Sequence, residues 1–158
     1  MGNKEIIEKK YIEAVRGIKK EWYDKADSKL YNYIINLPIL LQITYLIVIL
    51  DNQIFNGGIH QYFVNGYGQF AEKTIEALFK IGAKKKAYII QKALLLVNSE
   101  QYSIEIFREK LLKFEIDNLF KNDNLFEPLD DLDSKYENII DEDIETLLSE
   151  YIIKNGES

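Results

Sequence analysis

Carboxylates are the side chains best placed to do chemistry in this chain. Asp130, Asp131, Asp133, Glu137, Asp141, Glu142, Asp143 and Glu145 crowd into sixteen positions. Such a crowd can hold a cation, offer a negative face to a basic partner, or simply keep a surface solvated. Calcium fails on spacing. Asp131, Asp133 and Glu142 match the first, third and twelfth positions of a calcium loop, but Lys135 stands at the fifth and Tyr136 at the sixth, where glycine makes the sharp turn.

The other chemistries fare no better. Cysteine is absent and His60 is the only histidine, so disulfides, thiol nucleophiles and cysteine-held metals are excluded. A Ser-His-Asp relay could be built only around His60, whose neighbours Ile59 and Gln61 supply none of its parts. Zinc there would need several carboxylates without the usual His or Cys spacing. Gly68 ahead of Lys73-Thr74 hints at a phosphate loop, yet Glu72 replaces the glycine before the lysine and no strand pattern precedes it. The residues point to a non-enzymatic protein with no cofactor and no metal.

Charge is divided along the chain. Residues 1–99 hold 14 Lys/Arg against 9 Asp/Glu, and residues 100–158 hold 6 against 17. The acidic end repels nucleic acid and favours a basic protein as partner. Arg16 and Arg108 are the only arginines, a poor endowment for gripping phosphates or reading bases. The run Lys84-Lys85-Lys86 reads as a solvated face, or as a counterpart for the acidic end of the same or a neighbouring chain.

Amides and glycines form the second cluster. In the segment 56–68, Asn56, Gln61 and Asn65 stand with Gly57, Gly58, Phe63 and Gly68. Asn56 is expected to cap the helix that follows, and the two glycines permit angles or approaches that a Cβ blocks. Gln61 and Asn65, four apart, share a helical face while Tyr62 and Phe63 point inward. The simplest reading is an amide network tying two turns together, because buried amides must find partners. The alternative is a small polar pocket made from Asn56, His60, Gln61, Asn65 and nearby tyrosines.

The elements that must position these residues read as helices throughout. Ile6, Ile7, Tyr11, Ile12, Val15, Ile18 and Trp22 recur at helical spacing and predict a helix over 4–23. Ser28 is expected to cap a second, and Pro38 to open a third that carries the apolar run 39–50. That run is short of the ~20 residues a bilayer span needs, so it reads as a core helix, with no membrane involved. Further helices are expected over 59–65, 69–81, 83–97 and 103–120, with Gly82 as a terminator. A loop is expected at Asn122-Asp123-Asn124, then a short acidic segment from Pro128, and a last helix capped by Asp141 or Asp143. The charged residues 1–20 show no secretory pattern, which together with the missing cysteine predicts a cytoplasmic protein. The expectation is one all-α domain over residues 1–158.

The string Asn56-Gly57-Gly58-Ile59-His60-Gln61-Tyr62-Phe63-Val64-Asn65-Gly66-Tyr67-Gly68 resembles the N-G-G-[FI]-x-Q-[FY]-F-x-N-x-x-G signature of the DMP19-like family. Its continuation, Ala71-Glu72 through Ile75-Glu76-Ala77-Leu78 to Ile81-Gly82-Ala83, is similar to the helix that follows the signature there. Leu132-Asp133, a tyrosine, and an acidic helix with Tyr151-Ile152 carry the resemblance almost to the C-terminus. Ile59 stands where phenylalanine is frequent, and Gly66-Tyr67 where small hydroxyl residues are. The family is named for an acidic bacterial protein that imitates DNA and occupies a repressor. The resemblance therefore implies that the eight carboxylates bind a basic protein such as a helix-turn-helix repressor and keep it off DNA, with Glu127 and Glu150 in reserve. It also implies dimeric members, and the apolar helices leave room for a homodimer face. An immunity-type protein that neutralises a basic toxin would need the same face.

Overall fold

The computed structural model describes residues 1–24 and 26–156. Along the chain come α1 (Asn3–Val15), a 3-10 turn (Lys20–Asp24), α2 (Lys29–Ile35), α3 (Ile39–Val64), a second 3-10 turn (Tyr67–Phe70), α4 (Ala71–Ile81), α5 (Lys84–Val97), α6 (Ile104–Leu112), α7 (Asp117–Phe120), α8 (Phe126–Glu137) and α9 (Ile144–Asn155). No strand occurs among the described residues. The fold is all-α, as the periodicity predicts.

The apolar run becomes the middle of the molecule. Ile43, Tyr45, Leu46, Ile47 and Leu50 are buried on several sides of α3, and α1, α4, α8 and α9 all pack against it. A helix apolar all round must be covered all round. The helix has 26 residues, and an 18-residue window of it with a mean hydropathy of 1.4 would reach across a bilayer by length and composition, but here its faces are taken by neighbouring helices. The buried Thr44 hydroxyl donates to the Leu40 carbonyl one turn back at 2.8 Å, so that group is satisfied within the helix. Leu129, Leu132 and Tyr136 on α8, and Ile144, Leu148 and Ile152 on α9, form the inward faces of the acidic end. α4 and α5 make a helical hairpin, closed where Ala83 N–H donates to the Leu78 carbonyl at 2.9 Å.

Several boundaries differ from expectation, each for a local reason. α1 ends at Val15 rather than near residue 23, because the Tyr33 hydroxyl takes over its terminus. That hydroxyl donates to the Ala14 carbonyl at 2.8 Å and accepts from Gly17 N–H at 3.2 Å. The span 103–120 divides into α6 and α7 at Phe114, which has a positive φ of 61°. Ser103 caps α6, accepting from Ile106 N–H. Ser28 makes no side-chain cap; Asp27 instead accepts from Lys29 N–H at 3.0 Å. α8 begins at Phe126, two residues before Pro128, which fits within a first turn where its missing N–H costs nothing.

Candidate partner-binding surface

The Gly-Gly pair does not separate two helices by a loop. α3 runs through Gly57 and is broken at one residue, Gly58, with φ 84° and ψ −178°. That region of backbone space is open essentially to glycine alone. Asn56, expected to cap the next helix, stays inside the first half and is exposed. The acceptor comes from far away in sequence: Ile59 N–H donates to Asp133 Oδ1 at 2.7 Å, across 74 residues. A Cβ on Gly58 would collide with the same carboxylate. Burial pushes the Asp133 carboxyl above its ordinary range, the Ile59 N–H opposes that, and Asp130 and Glu137 on the same helix add to it.

The amides do form a network, with a hub the sequence did not point to. Gln53 Oε1 accepts from Gln61 Nε2 at 3.2 Å and from Asn65 Nδ2 at 3.0 Å. The bare Cα of Gly57 leaves room for the Gln61 side chain above it. Tyr62 and Phe63 point inward as expected; the Tyr62 hydroxyl meets Thr74 Oγ1 at 3.2 Å, and Phe63 packs against Gly68. His60 lies edge-on to Phe126 with ring centroids 5.5 Å apart. None of the clefts described is lined by Asn56, Gln61 or Asn65.

The acidic segment divides into carboxylates with internal work and carboxylates without it. Glu142 is only 7 % exposed. Its two oxygens accept from Lys85 N–H and Lys86 N–H, each at 2.8 Å. Those are orphan donors in the first turn of α5, where the helix dipole also welcomes an anion. Next to it Asp141 pairs with the Lys85 ammonium at 2.6 Å, an exposed contact that holds the carboxyl below its ordinary range. Asp143 is the N-cap of α9, accepting from Thr146 N–H at 3.0 Å and from the Thr146 hydroxyl, bonds that lower its carboxyl as well. The lysine run thus meets the acidic end of its own chain. Lys86 is buried, with its ammonium 4.6 Å above the Tyr136 ring.

The carboxylates left over are Asp130, Asp131 and Glu137 with Glu127 on α8, and the half-buried Glu145 on α9. No ion pair engages any of them among the described residues. Two more acids join them from the basic half of the sequence. Asp51 on α3 is close enough to Asp143 and Glu145 to feel both charges. Desolvation beside the packed helices raises its carboxyl, with Lys86 opposing and the two acids reinforcing. Glu8 on α1 lines the same groove as Asp51 and Glu145. Nothing in the local sequence around Glu8 or Asp51 distinguishes them; only the packing of α1 and α3 against α9 brings them there.

Comparison with known proteins agrees with this architecture. The family model described as DMP19-like protein matches residues 35–155. No curated protein and no solved structure matches the chain. The matched span takes in the kinked helix, its amide network, the Asp133 cap and the whole acidic end as far as the last residue of α9, leaving α1 outside it. A match over so much of the chain, carrying both the glycine kink and the carboxylate that caps it, makes this protein a member of the DMP19-like family.

Proposed function

We propose that this is a non-enzymatic interaction protein whose acidic face binds a basic DNA-binding protein and blocks its DNA-binding surface. The observation that carries the reading is the free face of α8. Glu127, Asp130, Asp131 and Glu137 are exposed there with no ion-pair partner among the described residues, while the half-buried Asp133 turns inward to the Ile59 N–H. At ~1.5 Å rise per residue, residues 127–137 span about 15 Å. Four free carboxylates over that length stand about 5 Å apart on average, of the same order as the ~3.4 Å between charges along one DNA strand. A protein that grips phosphates with lysine and arginine can accept this face instead. Membership of a family named for a DNA mimic supports the same reading.

The mechanism is electrostatic competition. Complementary charge speeds encounter, and the fixed spacing on one helix supplies selectivity. The cysteine-free sequence suits a reducing cytosol, where a bacterial repressor would be met.

The test needs a variant that removes charge without removing caps. Glu127→Gln, Asp130→Asn, Asp131→Asn and Glu137→Gln together meet that condition, whereas replacing Asp133, Glu142 or Asp143 would confuse lost binding with lost structure. Wild-type and quadruple-variant baits are used to capture DNA-binding proteins from the source cells. Each captured protein is then assayed for operator binding in the presence of added bait. Wild type should displace the operator and lose that ability steeply with salt, since charges beyond ~8 Å are already screened at 0.15 M. Equal displacement by the quadruple variant, or none by either bait, refutes the proposal.

A further inference from the structure

α1, α3 and α9 meet along an open groove of about 260 Å³. Its floor is apolar, made by Ile7 and Tyr11 from α1, Ile47 and Val48 from α3, and Ile144 and Leu148 from α9. Three carboxylates stand on its rim, one from each helix: Glu8, Asp51 and Glu145. Lys4 is the single cation among the lining residues, which carry a formal excess of two negative charges, and Lys86 acts on Asp51 from beside the groove. None of the three carboxylates has an ion pair or side-chain hydrogen bond among the described residues. Asp143 already caps the N-terminus of α9, so that terminus does not call for a further anion from outside.

From this geometry we infer that the groove binds a linear aliphatic diammonium ion. The apolar floor removes the methylene chain from water, which favours binding in proportion to the area buried. The carboxylates, spread over three helices, receive an ammonium at each end. A lone metal ion fits badly, because the acids line a greasy trough rather than converging on a point; no group of three acids among the described residues is placed to hold one. An anion is repelled, and a neutral chain leaves the carboxylates unanswered. The size is right for a small amine, lying just under the ~300–1,000 Å³ typical of drug-sized sites. Tyr11, stacked on Tyr45 with ring centroids 6.1 Å apart, presents a ring to the groove and adds a cation–π surface. Asp51 gains from such a partner, since desolvation and two neighbouring carboxylates disfavour its charge and Lys86 offsets them only in part. The site lies apart from the free face of α8 and stands whether or not that face binds a protein.

The experiment titrates the full chain with 1,5-diaminopentane at neutral pH and low salt, following amide chemical shifts. Saturable shifts are expected at the groove residues of α1, α3 and α9. Binding of 1-aminopentane should be at least ~5-fold weaker, as expected for loss of one charge-assisted contact of about 1 kcal/mol, and 1-pentanol should not saturate. The double variant Asp51→Asn, Glu145→Gln should weaken the diamine at least ~10-fold. The ligand series reads on the wild type, so the inference remains testable if the variant folds poorly. Shifts confined to the α8 face, equal affinity for diamine and monoamine, or undiminished binding by a folded double variant each overturn it.

Discussion

Replacing Asp133 separates two roles that one carboxylate can have. If Asp133 served only a partner, Asp133→Ala would leave the isolated protein as stable as before. The structure demands otherwise. Ile59 is fully buried, and its N–H has one acceptor, Asp133 Oδ1 at 2.7 Å. Removing a cap costs ~0.5–2 kcal/mol, and stranding a buried donor ~1–3 kcal/mol. These describe the same loss from two directions, so the cost is about 1–3 kcal/mol. For a chain of this size each kcal/mol moves the melting temperature by ~2–4 °C. Thermal unfolding followed by circular dichroism should therefore fall by roughly 2–12 °C. Asp130→Asn, on the same helix but without an internal bond, should change stability by no more than ~0.5 kcal/mol. Asp133→Asn sharpens the test. Burial raises the Asp133 carboxyl, so the folded state holds that proton more tightly than the unfolded chain does. Its contribution to stability therefore declines as pH rises from below the ordinary value of ~3.9 through the raised one. At neutral pH the bond depends on the acceptor oxygen while the charge is a burden. Asparagine should match or exceed the wild type, with alanine below both. Asparagine as damaging as alanine, or alanine as stable as wild type, would refute the reasoning.

Other perturbations follow from the same geometry. Glu142→Ala strands the two N–H groups of Lys85 and Lys86 at a buried site, and should cost about 2–4 kcal/mol in urea unfolding; Asp141→Asn beside it, an exposed pair, should leave the urea midpoint unmoved. Gly58→Ala forces a β-carbon into a glycine-only conformation against Asp133. It should cost ~1–3 kcal/mol for strain alone, and less in the Asp133→Ala background than the sum of the two, a non-additivity read by a double-mutant cycle. Asp143 has a lowered carboxyl, so its contribution is present above pH ~3.9 and lost as pH falls through the lower folded value; Asp143→Ala should flatten that part of the acid-unfolding curve. Asp51→Asn removes a disfavoured charge, so the melting temperature at pH 7 should hold or rise, with the difference vanishing below about pH 4.

What could be read in the sequence was whatever depends on neighbours in sequence. The spans of α4, α5 and α9 followed from local sequence pattern, and Gly82 and Asp143 marked ends through bonds within a few residues. The end of α1 was hidden because it is set by Tyr33, sixteen residues past Gly17. The kink was legible as two glycines but not as a single break, since the partner that fixes it is on α8. Acid density misled in a similar way. Eight carboxylates in sixteen positions looked like one surface, yet Asp133 and Glu142 turn inward to cap α3 and α5 over separations of 74 and 57 residues. Conversely, Glu8 and Asp51 sit in the basic half of the chain and reach the acidic region only through helix packing. Local chemistry was readable; long-range caps and the surfaces they leave behind were not.

The inward carboxylates bear on binding even though they face away from a partner. Charges that imitate a phosphate row work only if their spacing is fixed before the encounter, because ordering them afterwards subtracts from affinity. Asp133 pins the middle of α8 to the kink of α3. Tyr136 pins its end beneath the Lys86 ammonium, and Glu142 ties the following loop to α5. Two kinds of variant should then weaken a captured partner in distinguishable ways. Asp130→Asn deletes one exposed charge, so it should lower both the affinity and the steepness of its salt dependence. Glu142→Ala, at a site 7 % exposed and out of a partner's reach, should lower affinity while leaving the salt slope intact, since every surface charge remains. Binding isotherms at three salt concentrations separate the outcomes. If Glu142→Ala, folded at the assay temperature, binds like the wild type, the caps serve stability alone and the free face needs no rigid backing.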